Sequence, residues 1–332
     1  MPDGLNILIA DCDHDSIAVE QAFVEERGIT LSLAQCSTED EVIAAAKDAD
    51  AIVVQYAPVT EKVLAALPNL KAVGRYGVGV DTVDVAAATA HNVAVCNVPD
   101  YGTEDVSDHA IALALSVARG IVQLDRGVRR GNQALAPVKP LHRLNSRVFG
   151  VVGLGLIGSA TARKAAGLGY EVIGFDPLQE PGTTTAGGVR VVTFDEVLAQ
   201  ADVISLHVPL NAATHHLIDA GAIAKMKPTA ALVNTCRGGV VDTAAVVDAL
   251  KTGRLKAAAL DVFEEEPLPA DHPLTTLDNA VLTPHAAWYS EESYAELKRR
   301  TVENVADVIA GLAPRNILNP QVLAEAVMGA SA

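Results

Sequence analysis

The segment Phe149-Gly150-Val151-Val152-Gly153-Leu154-Gly155-Leu156-Ile157-Gly158 constrains this chain more than any other, because an apolar run enters a Gly-x-Gly-x-x-Gly turn. Val148 to Val152 reads as a buried strand and Ser159 to Leu168 as a helix closed by Gly169, the strand–turn–helix setting that such a turn demands. Gly153 then allows the tight turn out of the strand, Gly155 lets backbone approach a pyrophosphate, and Gly158 lets the helix pack close to the sheet. A helix beginning near Ile157 aims its free N–H groups, at Leu156 and Ile157, and the positive end of its dipole at that anion. A second strand, Glu171 to Phe175, ends at Asp176, 18 positions after Gly158, and its carboxylate can accept both hydrogen bonds of an adenosine ribose diol. Pro177-Leu178-Gln179-Glu180 brings no Arg or Lys to meet a 2′-phosphate, which favours NAD over NADP.

Strand-like and helix-like segments alternate along the rest of the chain, the pattern of parallel sheets with crossover helices. Five short strands are predicted before the glycine turn: Asn6 to Ala10, Thr30 to Leu33, Ala51 to Val54, Ala72 to Tyr76 and Val93 to Cys96. Helices over Glu39 to Ala46 and Thr60 to Leu67 separate them. Further strands follow at Arg190 to Val192, Val203 to Val208, Ala231 to Asn234, Ala257 to Val262 and Ala280 to Leu282. The expectation is an α/β protein of two Rossmann/flavodoxin-like domains with parallel sheets and a cleft between them. At 332 residues the chain is long for one core. Residues 102–291 would form the nucleotide domain. Residues 1–101 would form the substrate domain together with 292–332, because the last helix, Ser290 to Ala310, is too long for another crossover and returns the chain. A single long helix is expected from Thr103 to about Gly131, opened by a cap cluster of Thr103, Glu104 and Asp105. Asn132 to Asn145 reads as irregular.

A net charge of −16 with no basic patch repels nucleic acid. Apolar runs are broken well short of a membrane span, and Asn6 to Ala10 is too brief for a secretory leader. Cys12, Cys36, Cys96 and Cys236 have neither paired nor metal-type spacing, which points to reduced thiols in a cytoplasm. His215 and His216 read as a loop and a helix cap, without the carboxylate or cysteine partners that a metal would need. His207 ends a strand and would line the adenosine side through its backbone.

Three strand ends carry reactive side chains at the edge where such folds bind ligands. Leu232-Val233-Asn234-Thr235-Cys236-Arg237-Gly238-Gly239 sets Arg237 on a glycine-marked turn, where its fork suits a carboxylate or a carbonyl oxygen, or else a surface salt bridge. Leu260-Asp261-Val262-Phe263-Glu264-Glu265-Glu266-Pro267 is a second end, whose three glutamates read either as chemistry or as a solvated loop. Leu282-Thr283-Pro284-His285 is the third, and His285 alone would be an ordinary hydrogen-bonded histidine. Together they match what hydride transfer at a hydroxyl-bearing carbon requires. A histidine handles the proton, Arg237 holds the substrate, and Glu266 aligns the histidine and raises its pKa. Cys236 beside Arg237 reads either as an oxidation-sensitive thiol or as a small buried side chain.

These segments, with Gly74-Arg75-Tyr76-Gly77-Val78-Gly79-Val80-Asp81 and His207-Val208-Pro209-Leu210, resemble the D-isomer-specific 2-hydroxyacid dehydrogenases over nearly the whole chain. That family includes phosphoglycerate, glyoxylate/hydroxypyruvate and formate dehydrogenases and the C-terminal-binding proteins. The resemblance implies a catalytic triad of Arg237, Glu266 and His285. It also implies Asp261 near the nicotinamide amide, Asp176 on the ribose, and Thr235 and Cys236 beside the cofactor. Val78 and Gly79 would offer N–H groups to a substrate carboxylate across a cleft that closes by hinge motion. Pro284-His285-Ala286-Ala287-Trp288-Tyr289-Ser290-Glu291 and Val98-Pro99-Asp100-Tyr101-Gly102-Thr103 are most similar to the C-terminal-binding-protein branch. In that branch Trp288 and Arg75 would help bind substrate; junction packing and a salt bridge are their alternatives. The implied protein is an NAD-dependent homodimer acting on a small 2-keto or 2-hydroxy acid, with an NADH-sensing scaffold as the alternative.

Overall fold

Short runs of Val, Ile, Leu and Ala form the strands of two parallel sheets, one in each of the two units into which the chain divides. The computed structural model describes residues 4–323. One unit gathers the chain up to Tyr101 with the chain from Ser290 onward, and the other runs from Gly102 to Tyr289.

In the first unit, β1 (Asn6–Ile9), β2 (Thr30–Leu33), β3 (Ala51–Val54), β4 (Ala72–Arg75) and β5 (Ala94–Cys96) pair in the order β2-β1-β3-β4-β5. That is the flavodoxin-like doubly wound order. The crossovers are α1 (Ala18–Glu25), α2 (Glu39–Ala45), α3 (Glu61–Ala66) and α4 (Val85–Ala90). A capping box starts α2, with the Thr38 side chain accepting the Glu41 N–H and the Glu41 carboxylate accepting the Thr38 N–H. Asp84 caps α4 on the Ala87 N–H. Leu8, Ile52, Val54, Val73 and Val95 face α2, α3 and α4 from one side of the sheet. Where β1 and β3 diverge, the chain supplies its own anion: Asp11 accepts the N–H groups of Gln55 at 2.9 Å and Tyr56 at 2.6 Å.

The second unit opens with α5 (Thr103–Arg119) and α6 (Ile121–Arg129). The single helix expected to reach Gly131 is thus two, because Gly120 adopts φ +63° and a Cβ there would lie 2.4 Å from the Val138 side chain. Thr103 is the first helical residue rather than a cap; Gly102 holds the cap position without a side-chain bond, and Glu104 and Asp105 face the dipole from the first turn.

There follow β6 (Val148–Val152), α7 (Leu156–Gly167), β7 (Glu171–Phe175), β8 (Arg190–Val191), α8 (Phe194–Gln200) and β9 (Val203–Leu206). The unit is completed by α9 (Ala220–Lys225), β10 (Ala231–Asn234), α10 (Thr243–Thr252), β11 (Ala257–Leu260) and β12 (Ala280–Leu282). The sheet order is β12-β11-β10-β9-β6-β7-β8, all parallel, so the order reverses between β6 and β9. Both faces are buried: Phe149, Val151 and Val233 meet α5 and α7, while Val152, Ile204 and Leu232 meet α8, α9 and α10.

Helix α11 (Glu291–Ile309) belongs to the first unit and packs on β3, β4, β5 and α1 through Leu297, Thr301, Val305 and Ile309, spaced by four. A Ser290–Ser293 capping box starts it. No helix among the described residues is long and apolar enough to cross a membrane.

Candidate active site

The chemistry-bearing side chains of the second unit stand where its strands end. Beyond β6, the backbone turns so tightly that a Cβ on Gly158 would lie 1.8 Å from the Gly153 carbonyl oxygen. Gly153 itself has φ +94°, with the His207 carbonyl 2.4 Å from where its Cβ would be. Gly155, by contrast, faces open space at its Cβ position and caps α7, whose first residues are Leu156 and Ile157. Asp176 follows β7, and its two oxygens accept the N–H groups of Leu154 at 2.8 Å and Leu178 at 2.9 Å. Each oxygen keeps lone-pair capacity for another donor.

His207 follows β9. Its N–H donates to the Val152 carbonyl at 2.8 Å, its Nε2 meets Ser205 Oγ at 2.8 Å, and burial pushes its imidazole down to about 3, so it is neutral. His216 is not a helix cap; Asp219 caps α9, and His216 Nε2 lies 2.6 Å from Glu264 Oε1 with His215 stacked on its ring. The carboxylate partner that sequence reasoning did not find is therefore Glu264.

Beyond β10, Asn234 folds its amide over the next turn, accepting from the Cys236 N–H at 3.1 Å and donating to the Arg237 carbonyl at 2.9 Å. Burial pushes the Cys236 thiol up to about 11, which keeps it protonated and unreactive. The Arg237 turn presses against the loop after β11: a Cβ on Gly238 would sit 1.9 Å from the Phe263 carbonyl. Only glycine permits that approach. It brings Arg237 near enough for its charge to act on Glu266.

Glu266 and His285 meet at 2.7 Å, Oε2 to Nδ1. The other Glu266 oxygen accepts the Phe263 N–H at 2.9 Å. Burial works to raise this carboxyl, but the bonds from His285 and Phe263 and the Arg237 charge outweigh it and hold the group below its ordinary value. An ionised carboxylate only accepts, so Nδ1 carries a proton and Nε2 is the nitrogen left to exchange one. His285 has φ +53°, unusual for a residue with a Cβ, and its N–H donates to the Asp261 carbonyl at 2.7 Å.

Asp261 is fully buried. Its Oδ1 accepts from Thr283 Oγ1 at 2.5 Å and the Ala286 N–H at 2.9 Å, and its Oδ2 accepts the Ala287 N–H at 3.0 Å. Burial pulls this carboxyl up, but the bonds from His109, Thr283, Ala286 and Ala287 hold it below its ordinary value. His109, on α5, escaped sequence analysis; a lone histidine 174 positions from Thr283 carries no local signal. Trp288 meets the exposed Tyr289 ring edge-to-face at 5.5 Å.

In the first unit, Arg75 ends β4 and its guanidinium covers Gly77, where a Cβ would lie 1.8 Å from Nη1. The N–H groups of Val78 and Gly79 have no hydrogen-bond partner among the described residues, while Asn97 holds the Val78 carbonyl at 2.7 Å.

A family model for the NAD binding domain of D-isomer specific 2-hydroxyacid dehydrogenases matches residues 111–287, over half of the chain. The chain belongs to that family. A glyoxylate reductase of Korarchaeum cryptofilum is 40% identical over 286 residues, covering 85% of this chain and 86% of the relative. A D-3-phosphoglycerate dehydrogenase of Archaeoglobus fulgidus is 38% identical over 298 residues, 90% of this chain, which spans only 56% of that relative. A D-lactate dehydrogenase of Aquifex aeolicus, solved with NAD and lactic acid, superimposes with a TM-score of 0.83 at 28% identity over 95% of this chain and 99% of that one.

A member of this 2-hydroxyacid dehydrogenase family uses NAD(H), and the residues present fit it. The open backbone at Gly155 leaves room for a pyrophosphate at the head of α7. Thr235 Oγ1, at the end of β10, is buried without a hydrogen-bond partner among the described residues, a polar atom that a ligand would satisfy.

Proposed function

We propose that this dehydrogenase interconverts a small 2-keto acid and the corresponding D-2-hydroxy acid, with His285 as general acid and base. The observation that supports this reading most directly is the 2.7 Å bond between Glu266 and His285 beside the charge of Arg237. The nicotinamide, when bound, supplies the hydride that adds to the carbonyl carbon. In that direction His285 Nε2 gives its proton to the carbonyl oxygen, and in oxidation it takes the hydroxyl proton back. Glu266 fixes the ring and neutralises the imidazolium, and Arg237 holds the carboxylate and polarises the ketone. Gly153, Gly155, Leu156 and Ile157 would cradle the pyrophosphate, with Asp176 on the ribose favouring NAD over NADP. His207, Thr235, Cys236 and Asp261 would border the rest of the cofactor. Val78 and Gly79 N–H groups, Arg75 and Trp288 would recognise the substrate; a tryptophan favours an apolar or aromatic 2-keto acid.

The reading extends to a cytoplasmic homodimer, supported by four free cysteines and by the amphipathic α6, which buries none of its residues. A panel of 2-keto acids followed by NADH absorbance tests the activity. His285→Gln should lower reduction roughly 10²–10⁴-fold, the worth of a positioned proton donor, while leaving NADH binding nearly unchanged. Undiminished turnover excludes the proton role. NADH binding with no turnover of any panel member favours instead an NADH-sensing scaffold of the C-terminal-binding-protein kind.

A further inference from the structure

His285 is held in an unfavourable backbone conformation, and the means of holding it lies on another element. After β12 the chain turns with His285 at φ +53°, the left-handed region that a residue with a Cβ rarely adopts. The next two peptide N–H groups, of Ala286 and Ala287, are both bound by the Asp261 carboxylate. That carboxylate is fully buried and accepts a further hydrogen bond from Thr283 Oγ1.

The donors in this chain of contacts are forced. Asp261, as a carboxylate, only accepts, so the Thr283 hydroxyl hydrogen points to it. Thr283 Oγ1 must then accept from its other neighbour, His109 Nε2, at 3.0 Å, so His109 carries a proton on that nitrogen. The same nitrogen lies 3.5 Å from Asp261 Oδ1, adding attraction whenever the ring is charged. His109 sits mid-helix on α5, whose neighbours Ala110, Leu113 and Ala114 are buried in the sheet face, so its backbone is fixed independently of the turn it reaches.

We propose that His109 is a positioning residue: through Thr283 and Asp261 it clamps the left-handed turn that points the His285 ring at Glu266. This rests on the reading of His285 as the proton-exchanging group. It names a function for two side chains, His109 and Thr283, that touch neither Glu266 nor Arg237 in any contact described above. It also gives Asp261 a role independent of the nicotinamide.

The experiment compares His109→Leu, His109→Gln and Thr283→Val in the full-length protein. Breaking the hydrogen-bond chain of the clamp should lower kcat for 2-keto acid reduction roughly tenfold in His109→Leu and Thr283→Val, with the KM for NADH unchanged. His109→Gln keeps an N–H donor at similar reach and should restore most of the rate. Unchanged kcat in His109→Leu overturns the proposal. So does a fall in kcat matched by weaker NADH binding, which puts the residue at the cofactor, and so does a glutamine no better than leucine, which leaves only packing. Should His109→Leu fail to fold, the near-isosteric Thr283→Val carries the comparison. In that variant the Ala286 and Ala287 amides should exchange with solvent faster by native-state hydrogen exchange, and unchanged protection overturns the clamp without reference to activity. His285→Gln separates the two levels. If it alone is inactive while the clamp variants are normal, only this inference fails; if it too turns over normally, the proposed function has failed.

Discussion

Arg237, Glu266 and His285 were legible because each follows a strand end by a few residues, and strand ends can be read from apolar runs bounded by glycine and proline. What the sequence left open was whether the run Glu264-Glu265-Glu266 carried chemistry or was only a solvated loop. The loop after β11 decides it: Glu264 turns to His216, and Glu266, tethered by the Phe263 N–H, turns to His285. Glu266→Gln keeps the shape but removes the charge, and should lower kcat by roughly one to two orders of magnitude with NADH affinity retained, as seen in stopped-flow binding and steady-state rates. Glu264→Gln should leave kcat within about twofold, since Glu264 bonds His216 and the Thr243 N–H at the start of α10 rather than His285. Asp176→Ala should weaken NAD binding and narrow the advantage over NADP; an unaltered ratio of kcat/KM for the two would remove the ribose assignment. His109 stayed hidden because one histidine among alanines and leucines looks like any half-exposed helical residue until the fold supplies Thr283.

At the scale of elements, the parallel strands matched their apolar runs closely, while helix ends were less well marked. The Ala/Leu/Val periodicity runs through Gly120 without a break, and one glycine costs a helix only about 1 kcal/mol relative to alanine. The break at Gly120 needs the Val138 side chain, which packs where a Cβ would be. Helix α7 starts at Leu156, one residue before the expected Ile157, because Gly155 of the glycine turn holds the cap position. Two glycine contacts join elements. Gly74 on β4 lies against α11, with Val305 Cγ1 2.8 Å from a Cβ position, and Gly238 lets the β10 and β11 loops touch. Gly238→Ala sets a methyl against backbone rather than against a flexible side chain. It should destabilise the protein by about 1–3 kcal/mol in denaturant unfolding and reduce activity beyond that, since Glu266 sits on the displaced loop.

For the whole molecule, depressed carboxyls occur in both units: Asp50 and Asp100 in the first, Asp202, Asp261, Glu264 and Glu266 in the second. For each, burial opposes ionisation and hydrogen bonds or cations overcome it. At Asp202 these come from the Val148 N–H at 2.9 Å, Lys227 at 3.1 Å and Arg147 at 2.9 Å. Because the folded values lie below the unfolded ones, the unfolded chain binds more protons as pH falls through the ordinary carboxyl range, about 4, and stability falls with pH there. Calorimetry from pH 7 to 3 should therefore show a flat Tm that drops below about pH 5; a Tm that rises on acidification would contradict the assigned partners. The alternation of periods and the glycine turn by themselves determined an α/β protein with parallel sheets and a dinucleotide turn, because backbone sterics and hydrophobic spacing are local and survive in one dimension. That Glu264 turns to His216, that His109 reaches Thr283, and where α5 ends were settled only in three dimensions. Those choices depend on contacts between residues tens to hundreds of positions apart, and no local preference encodes a partner that distant.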